Sequence, residues 1–217
     1  MPRLEDVTIM VSIGVNGDCY RKVVGCAESF TESAERWRGF PSWLKSRELR
    51  GARMFTGDKA AGMVGSIAEA FPGARHQRCT VHFYRNALAK VSKSKRSQVA
   101  AMLKAIHAME SREASAAKAE SVAAKVESMK LKEAAKVVHE SFAETLTYCE
   151  MPREPWRRIR TNNAIERLNR EIRRRTRVVG TFPDGESALM LVAARLKYVA
   201  DSEWGSRRYL DASLLKE

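Results

Sequence analysis

The chain has 217 residues and a formal net charge of +13, long enough to bury a full core and basic enough to point to a polyanionic partner, nucleic acid first. Its four cysteines, Cys19, Cys26, Cys79 and Cys149, are scattered, which argues against a disulfide framework and for free thiols in a reducing cytoplasm. No apolar run approaches the length of a membrane span, and no targeting peptide is recognisable ahead of the first strand-like run.

Val7–Val15 is a β-branched apolar run that ends in Asn16-Gly17-Asp18, a hairpin turn signal, and Tyr20–Ala27 reads as its antiparallel partner. Thr31-Glu32-Ser33 can cap a helix reaching about Ser46, with Trp37, Phe40 and Trp43 among its apolar positions. Pro41 within it predicts a kink or break. Ala52–Thr56 reads as a short buried strand followed by Gly57-Asp58, then a helix from about Lys59 to Phe71, the Pro72-Gly73 turn, and a strand-like ARHQRCTV. This strand–helix alternation predicts an α/β layer architecture with parallel pairing.

From Ala74 through Met151 the chain contains neither glycine nor proline, and most of that span predicts two to four mutually packed helices. Pro152 and Pro155 close it. The next helix begins after the polar run Thr161-Asn162-Asn163, which can accept bonds from its first N–H groups. Ile165, Leu168 and Ile172 fall at helical spacing and predict its buried face, with Glu166 in the first turn and Arg167, Arg170, Arg173, Arg174, Arg175 and Arg177 filling the remaining faces. Residues 151–178 carry ten basic and three acidic side chains, a net +7, so more than half the excess charge gathers here. Glu186–Val199 predicts a further apolar helix. Beyond Asp201, Trp204 and Tyr209 belong to no clear pattern.

Two acids are candidates for chemistry. Asp58 follows a predicted buried strand, where α/β folds gather functional groups at strand carboxyl ends; the plainer alternative is that it caps the helix starting at Lys59. Glu166 lies more than a hundred residues later in a field of guanidinium groups. Its plainer roles are a capping-box bond with Asn163 or an i,i+4 pair with Arg170. Carboxylates around a pair of divalent ions make a phosphoryl-transfer site. Cys79-x-x-His82 has half the spacing of a zinc site, but no second pair supplies the other two ligands, so zinc is not expected. Arg78, Arg85 and Asn86 extend the polarity around it.

The strings GVNGDCYRKVVG, GDKAAGMVGSIAEAFPGARHQRCTVHFYRN and TNNAIERLNREIRRRTRVVGTFP, in that order, resemble the Mutator-type transposases of bacterial insertion sequences, and SALMLVAARL…EWGSRRYL is similar to that family's C-terminal end. The resemblance spans nearly the whole chain. It implies an RNase H-like mixed sheet flanked by helices and interrupted by an α-helical insertion, with residues 1–92 and 153–217 as the two parts of the core and 93–152 as the insertion. It further implies a DDE triad holding two Mg²⁺ (or Mn²⁺) ions, double-stranded DNA as partner, and a homo-oligomer in the active complex. Residue by residue, Asp58 resembles the second acid and Glu166 the final glutamate, and Cys79 with His82 matches the family's C-x-x-H signature. Arg78, Arg85 and the arginines from Arg167 to Arg177 are the expected DNA-binding set.

The family's first aspartate sits on a strand preceding the one that here reads VTIMVSIGV. Asp6 stands too close to that strand, and Asp18 lies in the turn after it. The sequence thus reads as the C-terminal portion of a transposase, expected to be inactive by itself. The alternative is a non-catalytic remnant that binds DNA or intact transposase.

Overall fold

A computed structural model describes residues 8–29, 35–60 and 62–210. In chain order the elements are strands β1 (Thr8–Val15) and β2 (Arg21–Ser29), helix α1 (Glu35–Ser46), strand β3 (Met54–Gly57), helix α2 (Met63–Ala70) and strand β4 (Arg75–Arg78). Helices α3 (Thr80–Ala89), α4 (Arg96–Ile106), α5 (Arg112–Ser128) and α6 (Lys132–Ser141) follow. The last are α7 (Trp156–Ile159), α8 (Asn163–Val179), α9 (Gly185–Ala200) and α10 (Glu203–Ser206). The chain divides into two compact units, one of residues 1–53, 60–74 and 163–217, the other of residues 54–59 and 75–162. Among the described residues, no helix is long and apolar enough to cross a membrane.

The first unit is built on the β1–β2 hairpin. Its pairing shifts between Ser12 and Ile13, so that Ser12 faces Gly25 while Ile13 faces Val23. Val24 is therefore the extra residue of a bulge. The turn falls at the expected Asn16-Gly17-Asp18 signal. Cys19 N–H donates to Asn16 O at 2.8 Å and Tyr20 N–H to Asn16 Oδ1 at 2.8 Å, and the left-handed conformation falls on Cys19 (φ 69°). This is a three-residue connection, a type I turn followed by one αL residue, rather than a two-residue turn with positive φ at Gly17. The unpatterned tail supplies its support. Tyr209 N–H donates to Cys19 O at 2.8 Å, and the Arg21 guanidinium lies 4.5 Å from the Trp204 ring centre and 4.9 Å from that of Tyr209.

One face of the hairpin packs Ile9, Val11, Ile13 and Val23 against Leu168 and Ile172 of α8 and Val192 and Leu196 of α9. The i,i+4 spacings place each helix pair on one stripe. Helix α1 runs through Pro41 without the expected break. Phe40 and Leu44 on it are buried, and Phe40 stacks on Trp43 with centroids 5.7 Å apart, so packing holds the turn where Pro41 removes one backbone bond. The proposed cap Thr31-Glu32-Ser33 lies outside the described residues, as does Asp6.

The second unit joins a parallel pair to a helical bundle. β3 and β4 pair in parallel with Gly57 opposite Arg78, as the strand–helix alternation implied. The single mixed sheet does not follow: among the described residues there are two two-stranded sheets, β1–β2 and β3–β4. The reason lies in what each pair is tied to. β3 and β4 are four residues each and bond to the segments around residues 145 and 159 of their own unit, while α8 and α9 cover the hairpin. From Lys93 to Glu150 the chain is helical, without a strand. The bundle core is Phe83, Val99, Leu103 and Ile106 against Val122, Val126 and Val138, with Ala119, Ala134 and Ala135 permitting close approach. Ser111 caps α5, accepting from Ala114 N–H at 3.1 Å.

A polar chain crosses this apolar bundle. Thr145 Oγ1 donates to Phe142 O at 2.6 Å, so it accepts from His107 Nε2, 2.8 Å away. That leaves His107 Nδ1 to accept from the Tyr84 hydroxyl at 2.8 Å. These bonds select one neutral tautomer. Burial, then the nearby Arg160 cation, push the His107 pKa down to about 3, and burial raises that of Tyr84.

Two outcomes are expected. A Cβ built on Gly25 would stand 2.7 Å from the Trp43 ring and 3.2 Å from Leu44 Cδ2. Gly25→Ala should therefore cost about 1–3 kcal/mol by overpacking, read as a lower urea midpoint with unchanged slope. An unaltered midpoint would mean that Trp43 moves freely. His107 is neutral in the fold and titrates near the ordinary histidine value when unfolded, so its contribution is complete above about pH 6.5 and is lost as pH falls toward 3. Stability should fall by up to about 1.4 kcal/mol per pH unit across that window, and His107→Gln should reduce this slope. Identical slopes in the two proteins would refute the assignment.

Candidate functional site

Parallel pairing brings the carboxyl ends of β3 and β4 side by side, and each strand delivers one residue of the expected motifs. Asp58 follows Gly57 and Cys79 follows Arg78, the two last-paired residues. Cys79 N–H donates to Gly57 O at 2.7 Å, continuing the ladder by one bond. Cys79 is fully buried and directly precedes α3. Its Sγ accepts from Asn162 N–H at 3.3 Å, while Thr80 N–H donates to Arg160 O at 3.0 Å and Thr56 Oγ1 to Ile159 O at 2.6 Å. The run from Ile159 to Asn162 thus lies against both strand ends, and the thiol serves as an acceptor within that junction.

His82, in the first turn of α3, places Nδ1 3.5 Å from Asp58 Oδ2. The C-x-x-H spacing accounts for this: Cys79 anchors the helix start, and three residues later one turn turns His82 back toward the neighbouring strand end. Asp58 does not cap α2. That helix begins at Met63 with Gly62 in the left-handed conformation at its N-cap (φ 81°), and among the described residues Asp58 Oδ1 accepts from the adjacent Lys59 N–H at 2.8 Å. The Asp58 side chain is 49% exposed, so this carboxylate is open to solvent.

A carboxylate absent from the sequence-based candidates organises the surroundings. Glu144 sits in the 3₁₀ turn after α6 and takes Lys59 Nζ on Oε1 at 2.5 Å and Arg78 NH1 on Oε2 at 3.4 Å. It therefore holds the residue after Asp58 and the residue before Cys79. Arg78, expected among the DNA-facing arginines, is buried and committed to this contact. Arg85 and Asn86 are exposed on α3. His76, half-buried on β4, has its pKa lowered by burial, against an opposing effect of Glu144. No spacing rule points from residue 144 to residues 59 and 78; only the tertiary fold joins them.

In the other unit, α8 presents Glu166 in its first turn, partly buried, and Arg167, Arg170, Arg173, Arg174, Arg175 and Arg177 exposed. Asn163 is the first helical residue rather than the cap. Glu171 is the carboxylate that ties arginines together. It takes Arg195 of α9 at 2.6 Å, Arg174 at 3.3 Å and Arg175 at 3.6 Å, and the Arg174 and Arg195 bonds hold its pKa below the usual range. The i,i+3 and i,i+4 spacings to Arg174 and Arg175 were readable in the sequence; Arg195 was not. Arg167, Arg170, Arg173 and Arg177 pair with no described acid.

For a divalent metal, Asp58 offers a hard oxygen donor with open approach. Among the described residues no group of three or more His, Cys, Asp or Glu side chains gathers to enclose an ion. Asp58 thus fits as one ligand of such an ion, not as a complete cage.

Residues 3–206 match the family model for transposases of the Mutator family. The chain is 34% identical over 213 residues to the transposase for insertion sequence element IS1081 of Mycobacterium tuberculosis, covering 98% of this chain and 51% of the relative. It is 33% identical over 210 residues to the transposase for ISRM5 of Rhizobium meliloti, covering 96% and 52%. Against the transposase for IS256 in transposon Tn4001 of Staphylococcus aureus it is 32% identical over 207 residues, covering 93% and 52%. The chain spans about half the length of the curated relatives it matches. With the C-x-x-H pair set beside a strand-end aspartate and the arginine-rich helix carrying its glutamate, this match over almost every residue makes the chain a member of the Mutator family of transposases.

Proposed function

We propose that this chain forms part of the catalytic core of an insertion-sequence transposase, with an RNase H-like core and a helical insertion, acting on double-stranded transposon ends within a homo-oligomer. A transposase family implies an enzyme of DNA cleavage and strand transfer and suggests a divalent metal. The observation that supports the reading best is Asp58: a half-exposed carboxylate at the end of a half-buried parallel pair, without a bond to the start of α2 and faced by His82. In this reading Asp58 and Glu166 are the second and third acids of a DDE triad for Mg²⁺ or Mn²⁺. Ions held by such carboxylates lower the pKa of a water or 3′-hydroxyl and offset charge on the phosphate. The chain's own part is positional. β3 fixes the Asp58 backbone, His82 limits the carboxylate's rotamers, and Glu144 draws the Lys59 ammonium away from Asp58, leaving its oxygens open to a cation.

The exposed arginines of α8 supply the phosphate contacts. Each phosphate neutralised should add about 0.9 to the slope of log affinity against log salt. Replacing Arg167, Arg170, Arg173 and Arg177 with alanine should flatten that slope by roughly 2–4. Replacing Arg174 and Arg175 should change it less, because Glu171 already shares their charge. Fluorescence anisotropy on a duplex at several salt concentrations measures both. Equal slopes for all proteins would remove α8 from the interface.

These 217 residues match two of the three acids, so by themselves they should bind DNA without cleaving or joining it. Two cations a few ångströms apart repel strongly, and two carboxylates leave that repulsion under-compensated. The test is a strand-transfer assay on matched terminal repeats, with this chain and with a longer version supplying an aspartate-bearing strand ahead of residue 1. Activity confined to the longer version, and abolished there by Asp58→Asn or Glu166→Gln, is the expected result. Full activity after either substitution would sink the assignment of that acid.

A further inference from the structure

The bundle of the second unit has two ends of unlike charge. α3 and α5 run toward one end, and α4 and α6 start from it, so the far end gathers the last residues of α3 and α5 with the first of α4 and α6. Helices of 11 and 17 residues separate it by about 16–25 Å from the end that meets the β3–β4 strand tips. At the strand-tip end, several cations are matched. Arg112 pairs with Glu150 at 2.9 Å, Arg153 with Glu110 at 3.5 Å, and Lys59 and Arg78 with Glu144.

The far end carries Lys90, Lys93, Lys95, Arg96, Lys130 and Lys132 against two acids, Glu127 and Glu133, and none of these six cations forms an ion pair with a described acid. All but Lys95 are exposed. They come from different elements held in fixed relation. Lys95 Nζ donates to Met129 O at 3.0 Å, tying the turn before α4 to the end of α5, and Arg96 Nε donates to Val91 O at 3.0 Å. Lys130 adopts φ 62°, the αL conformation of a helix terminus. The exposed hydroxyls of Ser92 and Ser94 add uncharged donors among the cations.

We propose that this far end of the bundle is a second DNA-contacting surface, binding the phosphodiester backbone of a duplex without reading its bases. The inference rests on the reading of the protein as a DNA-binding transposase and goes beyond it, because it assigns to the helical bundle a contact separate from α8. Mutual repulsion among cations on one rigid platform disfavours their gathering, and a polyanion that releases counterions reverses that. Lysines with serine hydroxyls suit phosphate oxygens, which fix orientation but carry no sequence information. Nothing at this end offers an aromatic platform for bases, and its cations are lysines apart from Arg96.

Two measurements on the 217-residue chain test this. Lysine acylation by sulfosuccinimidyl acetate, read by mass spectrometry with and without a 30-base-pair duplex, should show protection of Lys90, Lys93, Lys130 and Lys132. Lys104, exposed near the opposite end of α4, should remain reactive. In anisotropy titrations, Lys90→Ala, Lys93→Ala and Lys132→Ala combined should lower the salt slope by about 2–3 and weaken binding at least tenfold, alike for unrelated duplex sequences. These residues are exposed, so the helical circular dichroism of the variant should match that of the parent. Equal acylation with and without duplex, or an unchanged slope while the α8 arginine variant loses affinity, would overturn this inference and leave the DNA-binding reading standing. Failure of the parent chain to bind duplex at all would overturn both.

Discussion

The geometry of the strand-end cluster depends on one buried amide. Gln77 on β4 is fully buried, donates through Nε2 to Arg78 O at 2.6 Å and Thr145 O at 2.8 Å, and accepts through Oε1 from Tyr148 N–H at 2.7 Å. Two strands of four residues are too short to be stable as an isolated sheet. Gln77 fastens the pair to the turns that follow α6, replacing the neighbouring strands a larger sheet would supply. A side chain of the same size without hydrogen bonds would orphan a buried N–H and at least one carbonyl, each costing about 1–3 kcal/mol. Thr145, which receives the amide, also terminates the polar chain from Tyr84 through His107. The bundle interior and the strand ends therefore share one set of hydrogen bonds, and the Asp58–His82 arrangement inherits its position from both.

Carboxylates set which cations are committed and which are available. Glu144 takes Lys59 and the buried Arg78; Glu171 takes Arg195 and half-engages Arg174 and Arg175. Exposed ion pairs contribute little to stability, commonly under about 1 kcal/mol, so their effect here is chiefly one of arrangement. Among the cations that pair with no described acid are Arg167, Arg170, Arg173 and Arg177 of α8 and Lys90, Lys93, Lys130 and Lys132 at the far end of the bundle. For Arg78 the balance differs, because a guanidinium removed from water requires its partner. This is why a residue beside the C-x-x-H motif, in a chain of high positive charge, turns inward instead of joining the exposed basic surface.

Local patterns were legible where one element suffices to encode them. The β1–β2 hairpin, the parallel β3–β4 pair, the helical stretch after residue 93 and the buried Leu168–Ile172 stripe of α8 all follow from periodicity and turn residues. The hairpin's turn type was not, because the αL position fell on Cys19, whose carbonyl is claimed by Tyr209 far along the chain. The division into two small sheets was equally hidden, since strand pairing is decided by which segments cover each edge. At the candidate site, Asp58 and His82 were readable from strand-end position and C-x-x-H spacing. Glu144, Gln77 and His107 were not, for their partners lie 66, 68 and 38 residues away. Isolated polar residues in a helical stretch look alike until the fold buries some of them.

Asp58 illustrates how a local choice leaves a carboxylate free of helix capping. An aspartate between a strand and a helix ordinarily bonds the first free N–H groups of that helix and is thereby consumed. Here the helix is delayed to Met63, and Gly62 takes the left-handed conformation that admits the chain to it without a side-chain cap. Among the described residues, Asp58 stands at the strand tip with the Lys59 N–H bond and His82 as its neighbour. The helix start gives up a capping bond worth about 1 kcal/mol, a concession tolerable because Met63, Ile67 and Ala70 of that helix are buried. Packing, not capping, therefore holds α2, and that substitution leaves a carboxylate half-exposed at the end of a half-buried strand.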